Sequence, residues 1–246
     1  MLVSLLLFFL LGLIFGSFLN SLIYRLYYNL SPWDRSICPK CQQKIKLLDL
    51  VPLLSFVFLA GKCRYCQKRI GWHYFWVELI TGILFSLVFL KDGNLILALS
   101  RDLFFVLVLI LIFVIDLKYY LILDKIIWPS IVVALIFNII LNLGIWPLIL
   151  GIIMGAGFFG WQYLLSAGKW VGEGDIKLGA LIGAMLGWQL TLLTIVMAYL
   201  IGGLVAAILL ISKQKKIGDV LPLGTFLSAA AIIVLLWGEK ILNFYF

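Results

Sequence analysis

Apolar runs of about twenty residues, each long enough for a helix to cross a bilayer, recur along almost the whole chain and are separated by short polar breaks. Met1–Leu22 is the first run. No basic residue precedes it and Arg25 follows it. A secretory signal carries its positive charge in front, so this pattern predicts a retained span with its N-terminus outside. Residues 25–72 form the one long polar segment, with nine basic residues and all four cysteines. Within it, Leu47–Ala60 is apolar, too short to span, and interrupted by Pro52. That segment is expected to lie against the membrane surface or to pack on neighbouring helices.

The pattern then resumes. A second span is expected over His73–Leu90, followed by an external turn at Lys91–Asn94, and a third over Leu95–Ile115. Asp116–Lys125 reads as a short cytosolic link, with Ile126–Leu141 returning outward. Pro147–Ala167 comes back in, Ile176–Trp188 and Gln189–Ile211 form a further pair, and Pro222–Trp237 is the last span. The count is about eight helices, all-α and polytopic, in a single membrane domain (1–246) with a cytosolic four-cysteine loop (25–72) between spans one and two. Both termini fall outside.

Composition sharpens this picture. The chain is 65% hydrophobic and only 12% charged, against about 25% charged in ordinary soluble domains. The net charge of +8 does not require nucleic acid. Of the 19 Lys and Arg, only Lys91, Arg101 and Lys240 fall on the external side in this topology. That is the positive-inside asymmetry, and attraction to anionic membrane lipids is its by-product. Arg101 and Asp102 are adjacent opposite charges in the outer part of a span, expected to pair or snorkel without chemistry. Gly179, Gly183 and Gly187 lie four apart on one helical face and predict close helix packing, as do Gly151, Gly155, Gly157 and Gly160.

Two carboxylates stand out. Asp175 lies in the glycine-flanked island Gly172-Glu173-Gly174-Asp175-Ile176-Lys177, and Asp116 ends the run Leu103–Ile115. Ionisable residues at the edge of a span are costly and mark functional sites by default. The plain alternative for each is a helix-end Asp paired with a nearby lysine. Two at cytosolic helix ends favour catalysis, because paired carboxylates can share one proton and act as base and acid on a peptide bond. Asp124 rivals Asp116 for this role. It lies about two turns further on if the link stays helical, so both cannot face Asp175 equally well unless the link bends back. Lys177 either lowers the Asp175 pKa as a Coulombic neighbour or anchors at the headgroups.

Cys38-x-x-Cys41 and Cys63-x-x-Cys66 are two knuckles separated by 21 residues. Four thiolates in this arrangement suit tetrahedral Zn²⁺ with no open position, hence a structural metal. Cytosolic placement argues against disulfides. His73, the only histidine, is expected to be packed or interfacial.

These elements, in this order, resemble the prepilin peptidases, the type 4 prepilin leader peptidases that are bifunctional aspartic peptidases and N-methyltransferases of bacterial inner membranes. The resemblance runs from Gly16–Leu26 through Ser36–Cys41, Asp49–Ser55, Gly61–Cys66, Val77–Leu79, Ile115–Lys118 and Gly172–Lys177 to Leu221–Gly224. It implies cleavage of the short basic leader from prepilins and pseudopilins at the cytosolic face, with Asp116 and Asp175 catalytic. It also implies methylation of the new N-terminal residue with S-adenosylmethionine, an activity for which no glycine fingerprint speaks here. Glu173 holds the variable position of its motif and receives no role. Leu123 replaces a proline common in the family, which implies a change in loop stiffness. Asp49-Leu50-Val51-Pro52 and His73-Tyr74-Phe75 depart from the family's Asp-Asn-Ile-Pro and Arg-Tyr-Pro. Two readings of another class compete: a transporter with an acidic helix-end site and a zinc-regulated loop, and a non-enzymatic assembly scaffold. A transport site belongs near the midplane, whereas both aspartates lie at helix ends. A presenilin-like protease leaves the cysteine knuckles without a purpose.

Overall fold

The computed structural model describes residues 1–31, 34–93, 95–216 and 218–245, with Leu47 and Tyr245 described by backbone alone. Asn94, in the expected external turn, and the C-terminal Phe246 lie outside the described residues. The chain divides into two compact units, Met1–Leu95 and Ile96–Phe246.

In the first unit, helix α1 (Leu2–Tyr27) packs along α3 (His73–Asp92). The stripe that α1 buries contains Gly12, Gly16, Leu19, Asn20 and Ile23, and the glycines explain how close the helices come. A methyl on Gly12 would lie 2.7 Å from the Gly82 Cα, and one on Gly16 would lie 2.7 Å from the Glu78 Cα. Small residues on such a seam let backbones touch without a polar partner. Between these helices, a 3₁₀ turn (Leu47–Leu50) and the short α2 (Leu54–Phe58) form the apolar insertion. Its Leu48, Leu54, Val57 and Phe58 are exposed. The insertion is tied to α3 by Glu78, whose Oε2 accepts the Leu53 N–H at 2.8 Å, where Leu53 takes a left-handed backbone (φ 59°).

The second unit holds α4 (Ile96–Tyr119), α5 (Asp124–Ile140), α6 (Ile145–Ser166), α7 (Glu173–Ile211) and α8 (Leu223–Tyr245). Helix α6 runs antiparallel to the first half of α7. The Gly151 backbone meets Gly183, and Gly155 meets Gly179, so tightly that a methyl at any of the four would collide with main chain. Gly157 and Gly160 differ from expectation, since a methyl on either meets nothing within 4 Å.

Gly187 breaks α7 with φ 75° and ψ 175°, a region open to glycine and costly for other residues. The chain reverses there. The Tyr199 hydroxyl bonds Gln162 Oε1 at 2.8 Å and its ring packs edge-on against Phe158, so the second half of α7 returns along α6. It then lies antiparallel to α8, with Gly202 against Phe226 and Gly238 against Leu190. A break inside a helix frees carbonyls that lipid cannot satisfy. Asn138 of α5, fully buried, supplies the donor: its Nδ2 bonds Ala184 O at 2.8 Å and Met185 O at 3.0 Å. Its Oδ1 accepts from Arg101 at 3.4 Å. Arg101 in turn bonds Asp102 Oδ1 at 2.7 Å and sits over the Phe105 ring. The adjacent charges thus pair, as expected, and also buttress the reversal.

Among the described residues, six helices are long and apolar enough to cross a membrane: α1, α3, α4, α6, α7 and α8. This differs from the expected eight in two places. Helix α5 has 17 residues, and Ile176–Trp188 with Gln189–Ile211 fall within one element broken at Gly187.

Candidate active site

Helix α4 continues past the apolar run Leu103–Ile115, so Asp116 lies inside its last turn and not in a loop. Its carboxylate is buried, and Oδ2 accepts two bonds from Thr225 in the first turn of α8. The main-chain N–H donates at 2.6 Å and the hydroxyl at 3.0 Å. Gly224 permits this approach, because a methyl there would lie 3.0 Å from the same oxygen.

Asp175 occupies the third position of α7, also buried. Its Oδ2 accepts the Gly172 N–H at 3.0 Å while its own N–H bonds Gly172 O at 3.1 Å. This reciprocal cap holds the side chain back over the helix start. The link between α4 and α5 passes beside both aspartates. Ile122 Cβ lies 2.8 Å from where a methyl on Gly174 would sit, and its Cδ1 lies 3.0 Å from the corresponding point on Gly224.

Asp124 sits differently. The α4 helix stops at Tyr119, Tyr120 takes φ 54°, and Asp124 opens α5. The link is therefore not helical, and Asp124 is exposed. Its carboxylate binds Lys177 Nζ at 2.7 and 2.9 Å. Lys177 is thus engaged by Asp124, a partner that neither expected role, neighbour of Asp175 or headgroup anchor, had named. Glu173 accepts a bond from the Tyr163 hydroxyl at 3.3 Å.

Sequence reasoning missed Thr225 and Ile122. The only signal for the first was a small polar residue directly after Leu221–Gly224. Nothing marked the second.

The four cysteines form a separate site in the first unit. Each knuckle closes in the same way. Cys38 N–H bonds Gln43 O and Gln42 N–H bonds Cys38 O, while Cys63 N–H bonds Lys68 O and Gln67 N–H bonds Cys63 O. Gln42 and Gln67 both take positive φ. The four Sγ atoms lie within 4.8 Å of one another, with Cys38 and Cys66 at 4.0 Å. Tetrahedral Zn–S bonds of about 2.3 Å place sulfurs about 3.8 Å apart, so the donor set fits a zinc ion held by sulfur alone. Among the described residues the cluster includes no histidine. His73 instead stacks on Tyr74 with ring centroids 4.3 Å apart. Arg64, inside the second knuckle, grips Asp49 with Nε at 2.9 and 3.0 Å from its two oxygens. These bonds hold the Asp49 carboxyl below the usual carboxylate range.

Comparison with known proteins identifies the family. Residues 10–91 match the Bacterial Peptidase A24 N-terminal domain and residues 103–208 match the Type IV leader peptidase family. The chain is 32% identical to the Prepilin leader peptidase/N-methyltransferase of Pseudomonas aeruginosa, covering 96% of this chain and 91% of that protein. It is 33% identical to the protein of that name from Aeromonas hydrophila, over 96% and 92%. It is 32% identical to that of Bacillus subtilis, over 96% of each. No solved structure matches the chain at a comparable level. The chain belongs to the type IV leader peptidase family.

Proposed function

We propose that this protein is a membrane aspartic endopeptidase that removes the short basic leader of type IV prepilins and pseudopilins at the cytosolic face, using Asp116 and Asp175. The observation that carries the reading is the pairing itself. Two buried carboxylates from separate helices flank Ile122, which reaches the glycine preceding Asp175 and the glycine against Asp116, and each has one oxygen held by a main-chain N–H. In this reading one carboxylate is ionised and the other protonated when the substrate arrives. The ionised member takes a proton from the attacking water while the protonated one donates its proton to the carbonyl oxygen. The proton taken from water then passes to the leaving amine as the C–N bond breaks, and a hydroxyl of the tetrahedral intermediate returns its proton to the other carboxylate. Thr225 fixes which oxygen of Asp116 stays occupied and leaves the other for water.

The orientation proposed with it has eight spans, counting α5 and the two halves of α7, with both termini outside. A reporter fused after Lys216 then reads cytosolic and one after Phe246 reads external. The four-cysteine loop holds one structural Zn²⁺ through Cys38, Cys41, Cys63 and Cys66.

Methylation of the new N-terminal residue is the second activity proposed, supported by the names of the relatives. The cavity of about 360 Å³ lined by Leu2, Leu5, Leu6, Phe9 and Ser86 does not fit S-adenosylmethionine. Four apolar side chains and one hydroxyl offer nothing to its charged amino-acid end, and the cleavage chemistry needs none of it.

Mass spectrometry of a co-expressed prepilin's N-terminus tests the whole reading. The parent protein yields a shortened pilin carrying one added methyl group. Asp116→Asn and Asp175→Asn each yield full-length prepilin from folded, inserted enzyme. The double variant is no worse than either single one, because residues acting as a unit are not additive. Normal cleavage by both single variants ends the aspartic-peptidase reading.

A further inference from the structure

A peptidase must meet its substrate as an extended chain, because a helical amide keeps its carbonyl bonded and shielded. The link after Asp116 is shaped for that. Residues 120–123 belong to no helix, and Leu123 is extended with φ −87° and ψ 123°. Both ends of the link are pinned. Tyr120 N–H bonds Asp116 O at 2.9 Å, and Leu123 O accepts the Ile126 N–H at 3.0 Å. Between these points, among the described residues, the N–H groups of Leu121, Ile122 and Leu123 and the carbonyls of Leu121 and Ile122 make no hydrogen bond. Leu121 is exposed and Ile122 and Leu123 are partly so. Unpaired extended backbone is a template for a second strand. Here it sits where Ile122 reaches the glycine preceding Asp175 and the glycine beside the Asp116 carboxylate.

We propose that residues 121–123 are a docking strand, which the segment of the prepilin around the cleaved bond joins by main-chain pairing, presenting that bond to Asp116 and Asp175. The inference rests on the Asp116–Asp175 reading and adds the group that aligns the substrate. Main-chain pairing does not depend on the substrate's side chains, so one enzyme can take leaders of differing sequence. The Asp124–Lys177 ion pair acquires a purpose as well, since it ties the far end of the strand to the helix bearing Asp175.

The test is thiol cross-linking in membranes with a bismaleimide. It joins a Leu121→Cys variant, in an Asp175→Asn background, to prepilins carrying single cysteines around the cleavage site. The zinc-loop cysteines are retained, and the protein without a cysteine at 121 is the blank. Strand pairing gives cross-links at every second substrate position. Cross-links at every third or fourth position mean a docked helix. That outcome overturns the inference, as does no cross-link with substrate still co-purifying. As a second measurement, Ile122→Pro, which removes one donor, raises KM for prepilin by about tenfold, the equivalent of one hydrogen bond. An unchanged KM in a folded Ile122→Pro protein also overturns it. If the Asp175→Asn protein still cleaves, the dyad reading has failed, and the cross-linking pattern then reports on docking alone.

Discussion

Thr225 and Asp116 meet across 109 residues of sequence, with the threonine N–H and hydroxyl converging on one carboxylate oxygen. The helix start of α8 is thereby welded to the helix end of α4. A Thr225→Val change keeps the shape and the N–H and deletes the hydroxyl bond. Leader removal is expected to fall by about tenfold, the usual effect of one bond to a charged group, with kcat carrying the loss. Thr225→Ser restores most of it. An equal loss in the serine variant would mean that the methyl matters and the hydroxyl does not.

Asn138 makes a separable prediction about stability. Among the described residues, it is the one side chain that bonds both Ala184 O and Met185 O where α7 reverses at Gly187. Asn138→Leu fills the space and strands both carbonyls, at a cost of about 2 kcal/mol or more. Thermal unfolding in detergent should shift down markedly, while Asn138→Gln, which keeps the amide, loses less. Identical melting of the parent and the leucine variant would show that the carbonyls find other partners.

Much of this arrangement was legible from the sequence. Apolar run length gave most of the helices, because a bilayer leaves little choice about what spans it. The cysteine knuckles were readable because metal spacing is set locally. What escaped was long-range or backbone-dependent. The pair Ile176–Trp188 and Gln189–Ile211 implied a turn-back one residue from Gly187, but nothing pointed to Asn138, which answers the break from another helix. Gly151 and Gly155 on α6 pack as the four-residue spacing implied, but Gly157 and Gly160, in the same helix, face open space. Spacing alone does not say which face meets a neighbour. The partner of Lys177 was not legible for a related reason. Capping turns the Asp175 carboxylate back toward Gly172, and Lys177 pairs with Asp124, 53 residues away in sequence.

The zinc loop should respond to acid and to chelation. Thiolates must stay deprotonated to hold the metal, so zinc is retained at neutral pH and released as pH falls. The Asp49–Arg64 pair acts in the same direction. Its depressed carboxyl pKa contributes stability above the unfolded value of about 4, and that contribution is lost as pH falls through the folded value. Purified protein is expected to contain about one zinc per chain by the four-thiolate stoichiometry. Cys38→Ser with Cys41→Ser should lower yield and melting temperature more than the cleavage rate of the surviving protein. Fully active protein free of zinc under reducing conditions would remove the metal from the account.

Asp124 provides the sharpest separation of roles, because it is the rival carboxylate eight residues from Asp116. It is exposed and ion-paired, with side-chain accessibilities of 55% for Asp124 and 30% for Lys177. A pair this open to solvent contributes at most about 1 kcal/mol. Asp124→Asn should therefore keep leader removal within about fivefold of the parent, whereas Asp116→Asn abolishes it. Reversing the charge tests the pairing directly. Asp124→Lys sets two ammonium groups against each other at a helix start that already disfavours cations, and should lose more than Asp124→Asn. Adding Lys177→Asp to Asp124→Lys rebuilds the attraction and should recover part of that loss, which neither change does alone. The assay is leader removal in membranes at matched protein levels. Inactive Asp124→Asn beside active Asp116→Asn would keep a peptidase and move its dyad to Asp124. The buried carboxylate on Thr225 would then be a structural contact between α4 and α8.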